Sequence, residues 1–451
     1  MSSAAVPDGP RGDADRGGPR AALSGLTTRG RSFLAAGVAA AVCAYVLGQA
    51  DLLRVGLLLA VLPLICVLVL HRTRYRVATS RLLTPQRVET GTEARVRLRM
   101  ENVSKLPTGL LMLQDHVPYM LGSRPRFVLD RVEAGGRREV SYRVRSDLRG
   151  RFPLGPLQLR LSDPFGMCEL TRSFSAYDTL TVVPRTEALP PVGLFGEAAG
   201  YGEGRQRTLA LAGDDDVIPR AYRHGDDLRR VHWRSTARYG ELMVRREEQP
   251  QRARCTVLLD TRGVGYRGAG PDSAFEWAVS GAASALVHML ERGYTVRLLT
   301  DTGSAVPGEG GAEGFGGAVQ DPADSAGLMM DALAVVDHSE GAGLSRASDV
   351  LRAGGDELLV AFLGDLDEEQ ASLVARTRGR AGAAVAFVLD SGAWLNGGPV
   401  SGAAGNRVRQ LREAGWTAIA VPPGARLPDL WQQAAGVHAE AGADTPHGGR
   451  A

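Results

Sequence analysis

Lysine is all but missing from this 451-residue chain: Lys105 stands alone among 53 basic lysine and arginine side chains. That scarcity excludes a Walker-type phosphate-binding lysine, a Schiff-base lysine and a lysine-rich patch elsewhere in the chain. Cysteine is scarce too. Cys43, Cys66, Cys168 and Cys255 are scattered, with no C-x-x-C pair, so neither a disulfide framework nor a zinc site is expected. They read as small buried hydrophobes. There is no H-E-x-x-H and no nucleophile elbow. The glycine clusters at 200–204 and 308–317 do not follow a strand and open a helix, as a dinucleotide fingerprint requires. The net charge of +3 is too near neutral to imply a nucleic-acid partner. What is present is 44% hydrophobic residues over a length that calls for two or three domains.

Residues 1–32 are rich in Gly, Pro, Ala, Arg and Asp without periodicity and read as a disordered tail. Two apolar runs follow, Phe33–Gly48 and Leu52–Leu70, each close to the ~20 residues a helix needs to cross a bilayer. Residues 33–70 are therefore expected to form a transmembrane helical hairpin, with the lipid bilayer as its first partner. Arg29 and Arg31 precede the first run, and Arg72, Arg74, Arg76 and Arg81 follow the second. This positive-inside bias places both termini and the soluble body of a two-pass cell-membrane protein in the cytoplasm. A cleaved signal peptide and a buried helical hairpin of a soluble domain are the competing readings.

Residues 85–185 read as β. Ala94, Val96, Leu98 and Met100 alternate with Arg95, Arg97, Arg99 and Glu101, and Leu157, Leu159 and Leu161 alternate with polar neighbours. Val140, Tyr142 and Val144 repeat the pattern, with turns at Glu133–Gly136 and Asp163–Gly166. Period two with one apolar face, over about 100 residues, points to a small antiparallel β-sandwich whose arginine faces are solvated.

Residues 186–252 read as a linker with one distinctive block. Asp226 or Asp227 can N-cap a short helix, Gly240 can stop it, and Leu242–Val244 reads as a strand. Asp226, Asp227, His224 and His232 are raw material for acid–base or metal chemistry, but the two histidines are eight apart and no nucleophile accompanies them. Residues 253–437 alternate apolar strands (Cys255–Asp260, Tyr294–Thr300, Glu357–Leu363, Val385–Leu389, Ala418–Val421) with helices near Phe275–Glu291, Glu368–Arg378 and Arg407–Ala414. That alternation implies a parallel sheet with helices on both faces. Residues 302–325 read as a mobile loop and 438–451 as a disordered tail. The whole is an α+β multidomain chain: hairpin, β-sandwich, then α/β domain.

The central block resembles the signature of a bacterial family, domain of unknown function 58. It is carried by Arg220, Tyr222, Gly225, Asp226, Arg229, Val231, Trp233, Ala237, Arg238, Leu242, Val244, Arg245 and Glu248. Arg149–Pro156 and Asp163–Gly166 resemble that family's β region, and the likeness spans most of residues 35–420. The first strand of the last domain, ending in Asp260, resembles a von Willebrand factor A domain, where ligand and metal meet at the carboxyl ends of the strands. That family's Asp-x-Ser-x-Ser motif appears here as Asp260-Thr261-Arg262-Gly263-Val264, without the two serines. The resemblance implies an AAA ATPase of the MoxR group as partner, in assembly or maturation of envelope proteins. The chain is read as a membrane-anchored interaction or scaffold protein without a cofactor, and not as an enzyme, because no nucleophile–base–orienter set is visible. A metal-dependent ligand binder with Mg²⁺ held by Asp260 and Asp365, and an enzyme using the Asp226–Trp233 block, remain the alternatives.

Overall fold

The computed structural model describes residues 25–73, 77–103, 107–108, 110–163, 165–191, 219–222, 231, 233–245, 253–306, 322–354 and 357–443. They fall into two compact units that divide between Val183 and Pro184.

The first unit opens with helices α1 (Thr28–Leu47) and α2 (Ala50–Thr73). Both are long and apolar enough to span a membrane. The start of α1 lies earlier than the apolar run because Thr27 caps it, accepting from the Gly30 N–H at 3.3 Å. Gly48, at φ +66°, supplies the left-handed stop that no β-carbon-bearing residue adopts cheaply.

Ten strands follow: β1 (Val77–Thr84), β2 (Arg87–Glu89), β3 (Glu93–Asn102), β4 (Leu111–Asp115), β5 (Arg126–Leu129), β6 (Arg137–Arg145), β7 (Gly150–Leu154), β8 (Leu157–Ser162), β9 (Glu169–Phe174) and β10 (Asp178–Val183). They form three small sheets, β1-β3-β6, β5-β4-β8-β9 and β2-β10-β7, around one core. Pairing is antiparallel except between β10 and β2, which run parallel. The expected start at residue 85 is too late, since β1 pairs along its whole length with β3. Ala94, Val96, Leu98 and Met100 point inward and are essentially inaccessible, while Arg95, Arg97 and Arg99 face outward as solvated side chains.

The hairpin is built into this unit rather than hung from it. The Thr27 N–H donates to the Met167 carbonyl at 2.9 Å, and the Glu169 N–H to the Gly25 carbonyl at 2.7 Å. Cys66, Val67 and Leu70 of α2 join the β core. Cys168 and Cys255 are buried as expected, but Cys43 lies on an outward face of α1.

Arg81, counted in the sequence among the charges flanking the hairpin, is buried inside the β unit. Its guanidinium meets the Asp115 carboxylate at 2.5 Å, with side-chain exposures of 5% and 0%.

The described part of the second unit contains β11 (Pro219–Ala221), α3 (Trp233–Tyr239), β12 (Met243–Arg245), β13 (Arg254–Leu259), α4 (Ala274–Glu291), β14 (Thr295–Thr300), β15 (Ala305–Val306), α5 (Pro322–Val335), α6 (Ser345–Ala353), β16 (Leu358–Leu363), α7 (Glu368–Thr377), β17 (Ala383–Leu389), α8 (Ser391–Asn396), α9 (Gly402–Glu413), β18 (Thr417–Val421) and α10 (Leu427–Ala443). Six strands form one sheet in the order β15-β14-β13-β16-β17-β18, parallel except for the edge hairpin β14–β15. Chain order thus reverses between β13 and β16, the switch point of a doubly wound sheet. Strands buried on both faces read as continuous apolar runs, as β16 (LLVAFL) and β17 (AAVAFVL) do.

One face packs Leu258, Ala361, Leu363 and Val388 under α6, α7 and α9. On the other, Phe362 stacks on Phe387 and Phe387 on Trp431 of α10, while Gly281 of α4 lets Phe362 approach where a β-carbon would fall 2.5 Å away. Residues 302–325 are not simply a loop: β15 lies at their start and α5 begins at Pro322, with 307–321 outside the described residues. Likewise α10 runs past the expected boundary at 437 to Ala443. The first residues of the expected linker pack on α4, where the Ser280 hydroxyl donates to the Arg185 carbonyl at 2.6 Å and the Glu187 N–H to Ser284 Oγ at 3.0 Å.

His288 of α4 sits edge-on against Trp431 (ring centroids 5.7 Å apart), and burial, helped by Arg292, pushes its pKa from 6.5 down to about 4. Between those values the unfolded chain takes up a proton that the folded chain refuses, so stability falls as pH drops through that window and is fully present above it. The melting midpoint followed by tryptophan fluorescence should therefore fall more steeply from pH 6.5 to 4 in the native chain than in His288→Leu. Parallel slopes would show that the imidazole is not the group responsible.

Candidate functional site

The carboxyl ends of the central strands gather a row of aspartates. Asp260 follows β13, Asp301 follows β14, Asp365 lies two residues beyond β16, and Asp390 follows β17. A carboxylate there is drawn to free backbone N–H groups where a strand stops pairing and a turn or helix begins. Asp390 shows this most simply. It caps α8 through the Ala393 N–H at 3.1 Å and accepts from the Ser401 N–H at 2.7 Å. Burial alone would raise its pKa, but these donors outweigh burial and hold it below the usual carboxylate value.

The other three are organised by Arg262. Its Nε donates to Asp260 Oδ1 at 2.9 Å and its Nη2 to Asp260 Oδ2 at 2.8 Å, a bidentate fork with exposures of 2% and 0%. The Arg262 and Gly364 N–H groups add bonds of 3.1 Å each to the same carboxylate. The guanidinium reaches further, to the Asp365 carbonyl at 3.3 Å and the Ala342 carbonyl at 3.4 Å. Burial works against its charge, but Asp260 more than compensates and the guanidinium pKa rises.

Asp301 accepts from the Thr261 N–H at 2.9 Å and the Ser339 hydroxyl at 2.6 Å, and also from the Thr261 hydroxyl. The Asp365 carboxylate accepts from the Ser391 N–H at 3.0 Å and from the Ser391 hydroxyl. Tyr266 closes the centre with its ring against Phe275 (centroids 5.1 Å apart). Burial, then the nearby Asp260, lifts its phenol well above the ordinary value.

The sequence thus pointed to Asp260 and Asp365, and both belong to this centre, each carboxylate with hydrogen-bond partners of its own. Asp260 is spent on Arg262, Asp365 on Ser391, and Thr261 turns to Asp301. Asp301 escaped the sequence reading, although the run Leu298-Leu299-Thr300-Asp301 repeats the strand-then-aspartate pattern that singled out Asp260.

The signature block forms a second, separate feature. β11 pairs with β12 so that Arg220 lies opposite Val244 and Ala221 opposite Met243, and the Tyr222 N–H extends the ladder to the Leu242 carbonyl at 2.8 Å. Thr236 ties the short α3 to this ribbon, accepting from the Met243 N–H at 3.0 Å. Gly240, at φ +75°, ends the helix as its position in the sequence indicates. Val231 is buried and Tyr222 half-buried, whereas Trp233, Ala237 and Arg238 are exposed. Trp233 is 72% accessible, with Tyr239 and Leu242 also outward. Arg245 lies in β12. Gly225, Asp226, Arg229 and Glu248 lie outside the described residues, as do His224, Asp227 and His232.

Residues 219–363, which hold the signature ribbon and the Asp260, Arg262 and Asp301 part of the strand-end centre but not Asp365 or Ser391, match a protein family described as "Protein of unknown function DUF58". The chain carries a DUF58 family domain over those residues. No curated protein matches the chain in sequence. Among solved structures, the CARDB domain of a Pyrococcus furiosus protein is 10% identical at a TM-score of 0.18, covering 24% of this chain and 87% of that one. The complex of zinc 2-glycoprotein with prolactin inducible protein from human seminal plasma is 8% identical at 0.19, covering 23% and 92%. The sporulation control protein Spo0M of Bacillus subtilis is 12% identical at 0.16, covering 24% and 49%. Likenesses this distant say nothing of function.

Proposed function

We propose that this chain is a membrane-tethered, cytoplasm-facing interaction protein whose DUF58 domain docks a partner through the face of α3. The observation that carries this reading is Trp233. A tryptophan side chain offers one of the largest apolar surfaces available, and here it is 72% accessible. Tyr239 at 66% and Leu242 at 41% are outward as well. Exposed aromatic residues beside an arginine such as Arg238 have the composition of an interface hot spot. Gly240 and the Thr236 tie hold the short helix in place, so little ordering would be lost on binding.

The partner favoured by the family resemblance is a MoxR-type AAA ATPase, with assembly or maturation of envelope proteins as the process. The apolar hairpin α1–α2 supplies the tether, and the arginines on its outer flanks favour a cytoplasmic body. The sheet order β15-β14-β13-β16-β17-β18, with β15 antiparallel at the edge, is that of a doubly wound α/β sheet, a class that includes the von Willebrand factor A-like reading without singling it out.

The test is co-purification of the tagged full chain from native membranes with ATP or a non-hydrolysable analogue. Nucleotide-dependent recovery of an AAA ATPase is expected, and Trp233→Ala with Tyr239→Ala should reduce it at least about tenfold, the scale of a single hot-spot residue or more. Unchanged recovery from the double variant would move the docking face elsewhere. Recovery of no ATPase in any nucleotide state would remove the partner named here.

A further inference from the structure

A von Willebrand factor A-like domain implies a divalent cation at the carboxyl ends of the strands, and the donor set here does not fit one. Such an ion needs several oxygens with free lone pairs converging on one point. Both Asp260 oxygens are engaged by the Arg262 guanidinium at 2.9 and 2.8 Å and by backbone N–H groups at 3.1 Å. The Thr261 hydroxyl is turned to Asp301 and the Asp365 carboxylate to Ser391. A fixed positive charge, 2% exposed, stands against the carboxylate that would be the ion's first ligand.

We propose that the Arg262 guanidinium is itself the resident cation of this centre, taking the place of a divalent metal and making the centre metal-independent. The geometry is that of a cation's work done by a side chain. A metal would join strand-end loops by drawing in oxygens from each, and Arg262 does so through the Asp260 carboxylate after β13, the Asp365 carbonyl after β16 and the Ala342 carbonyl ahead of α6. The guanidinium's planar fork suits a carboxylate bidentately, and its charge is not lost at any physiological pH. The fork is local: Arg262 is two residues from Asp260, so one turn of chain carries both the anion and its counter-cation. This inference stands apart from the docking face on α3 and survives or fails without it.

The experiment is a Mn²⁺ titration of the full chain in detergent, read by electron paramagnetic resonance and by melting midpoint, on the native chain and on Arg262→Ser. The native chain should hold no stoichiometric Mn²⁺, and its midpoint should be the same in chelator as in millimolar Mn²⁺. Arg262→Ser removes the cation and restores a hydroxyl at that position. It should melt about 5–10 °C lower in chelator, as expected of a buried carboxylate stripped of its partner, and Mn²⁺ should return much of that loss. Arg262→Lys keeps a positive charge without the fork, and should melt between the two and ignore Mn²⁺. Stoichiometric Mn²⁺ on the native chain, or Mn²⁺ acting equally on the lysine and serine variants, would overturn the proposal. If the serine variant does not accumulate, the native and lysine titrations still decide it: a Mn²⁺-dependent midpoint in either refutes a resident guanidinium.

Discussion

Asp115→Ala is expected to cost the β unit about 3–5 kcal/mol, the loss that follows when one partner of a buried ion pair is removed. Three groups meet on this carboxylate. Arg81 donates to it through Nη2 at 2.5 Å and Nε at 3.1 Å, and the Tyr142 hydroxyl donates at 2.6 Å. Burial alone would weaken the Arg81 charge, but Asp115 outweighs it and raises the guanidinium pKa, so the arginine cannot escape by losing its proton. Without Asp115 it keeps the Leu154 carbonyl at 2.9 Å and Asp178 at 3.2 Å, and the latter is 43% exposed and therefore a weaker partner. Tyr142 would be left with a half-buried hydroxyl and no acceptor at that position.

The chain offers its own internal standard for this experiment. All five tryptophans, Trp233, Trp277, Trp394, Trp416 and Trp431, lie in the second unit. Urea unfolding of Asp115→Ala should thus show an early transition by circular dichroism or proteolysis of the β unit, with tryptophan fluorescence little changed. As a control, Glu93→Ala breaks a pair with Arg143 that is 53% and 65% exposed, and should cost under about 1 kcal/mol. A cost for Asp115→Ala no larger than for Glu93→Ala would mean that the buried pair is not what holds these strands together.

This pair also marks where local sequence stops being informative. In a chain whose basic residues are nearly all arginine, Arg81 is indistinguishable by pattern from Arg72 or Arg76. Its partners lie 34 and 97 positions away, and only the folded sheets bring them close. The elements that were legible are those with a clear pattern over their own length. Ala94–Met100 alternates, so its two faces follow from spacing, whereas β16 and β17 are apolar throughout and are recognised as short runs buried on both faces. The two-residue edge strand β15 and the short α8 carry too few residues for a period, and the first is held by pairing with β14 rather than by its own composition. At the strand-end centre, Asp260 was legible because it ends a run of hydrophobes. Arg262 was legible only as an obstacle to a metal. That it instead wraps around the Asp260 carboxylate depends on χ angles and on loops from residues 342 and 365, none of which leaves a trace in spacing.

Leucine at Gly37 and Gly56 is the substitution expected to disturb the hairpin most. The two helices cross there with their backbones nearly touching. A β-carbon on Gly37 would sit 2.5 Å from the Ala60 nitrogen and 2.7 Å from the Gly56 carbonyl oxygen, and one on Gly56 would sit 2.8 Å from the Ala41 nitrogen. These neighbours are backbone atoms, so no rotamer change relieves the clash and the helices must separate. In lipid or detergent the hydrophobic effect does not press two apolar helices together, which leaves close packing between small residues as the main attraction. Each substitution forfeits that packing and adds overpacking strain of about 1–3 kcal/mol. The consequence should reach the β unit, because Cys66, Val67 and Leu70 of α2 pack in its core and Gly30 of α1 passes so close that a β-carbon there would lie 2.2 Å from the Met167 carbonyl oxygen. The double variant in mild detergent should accordingly show faster proteolysis in the β unit as well as a lower melting midpoint, while Val42→Leu, on an outward face of α1, should show neither. Were the double variant to melt like the native chain, the close crossing at Gly37 and Gly56 would not be what joins α1 to α2.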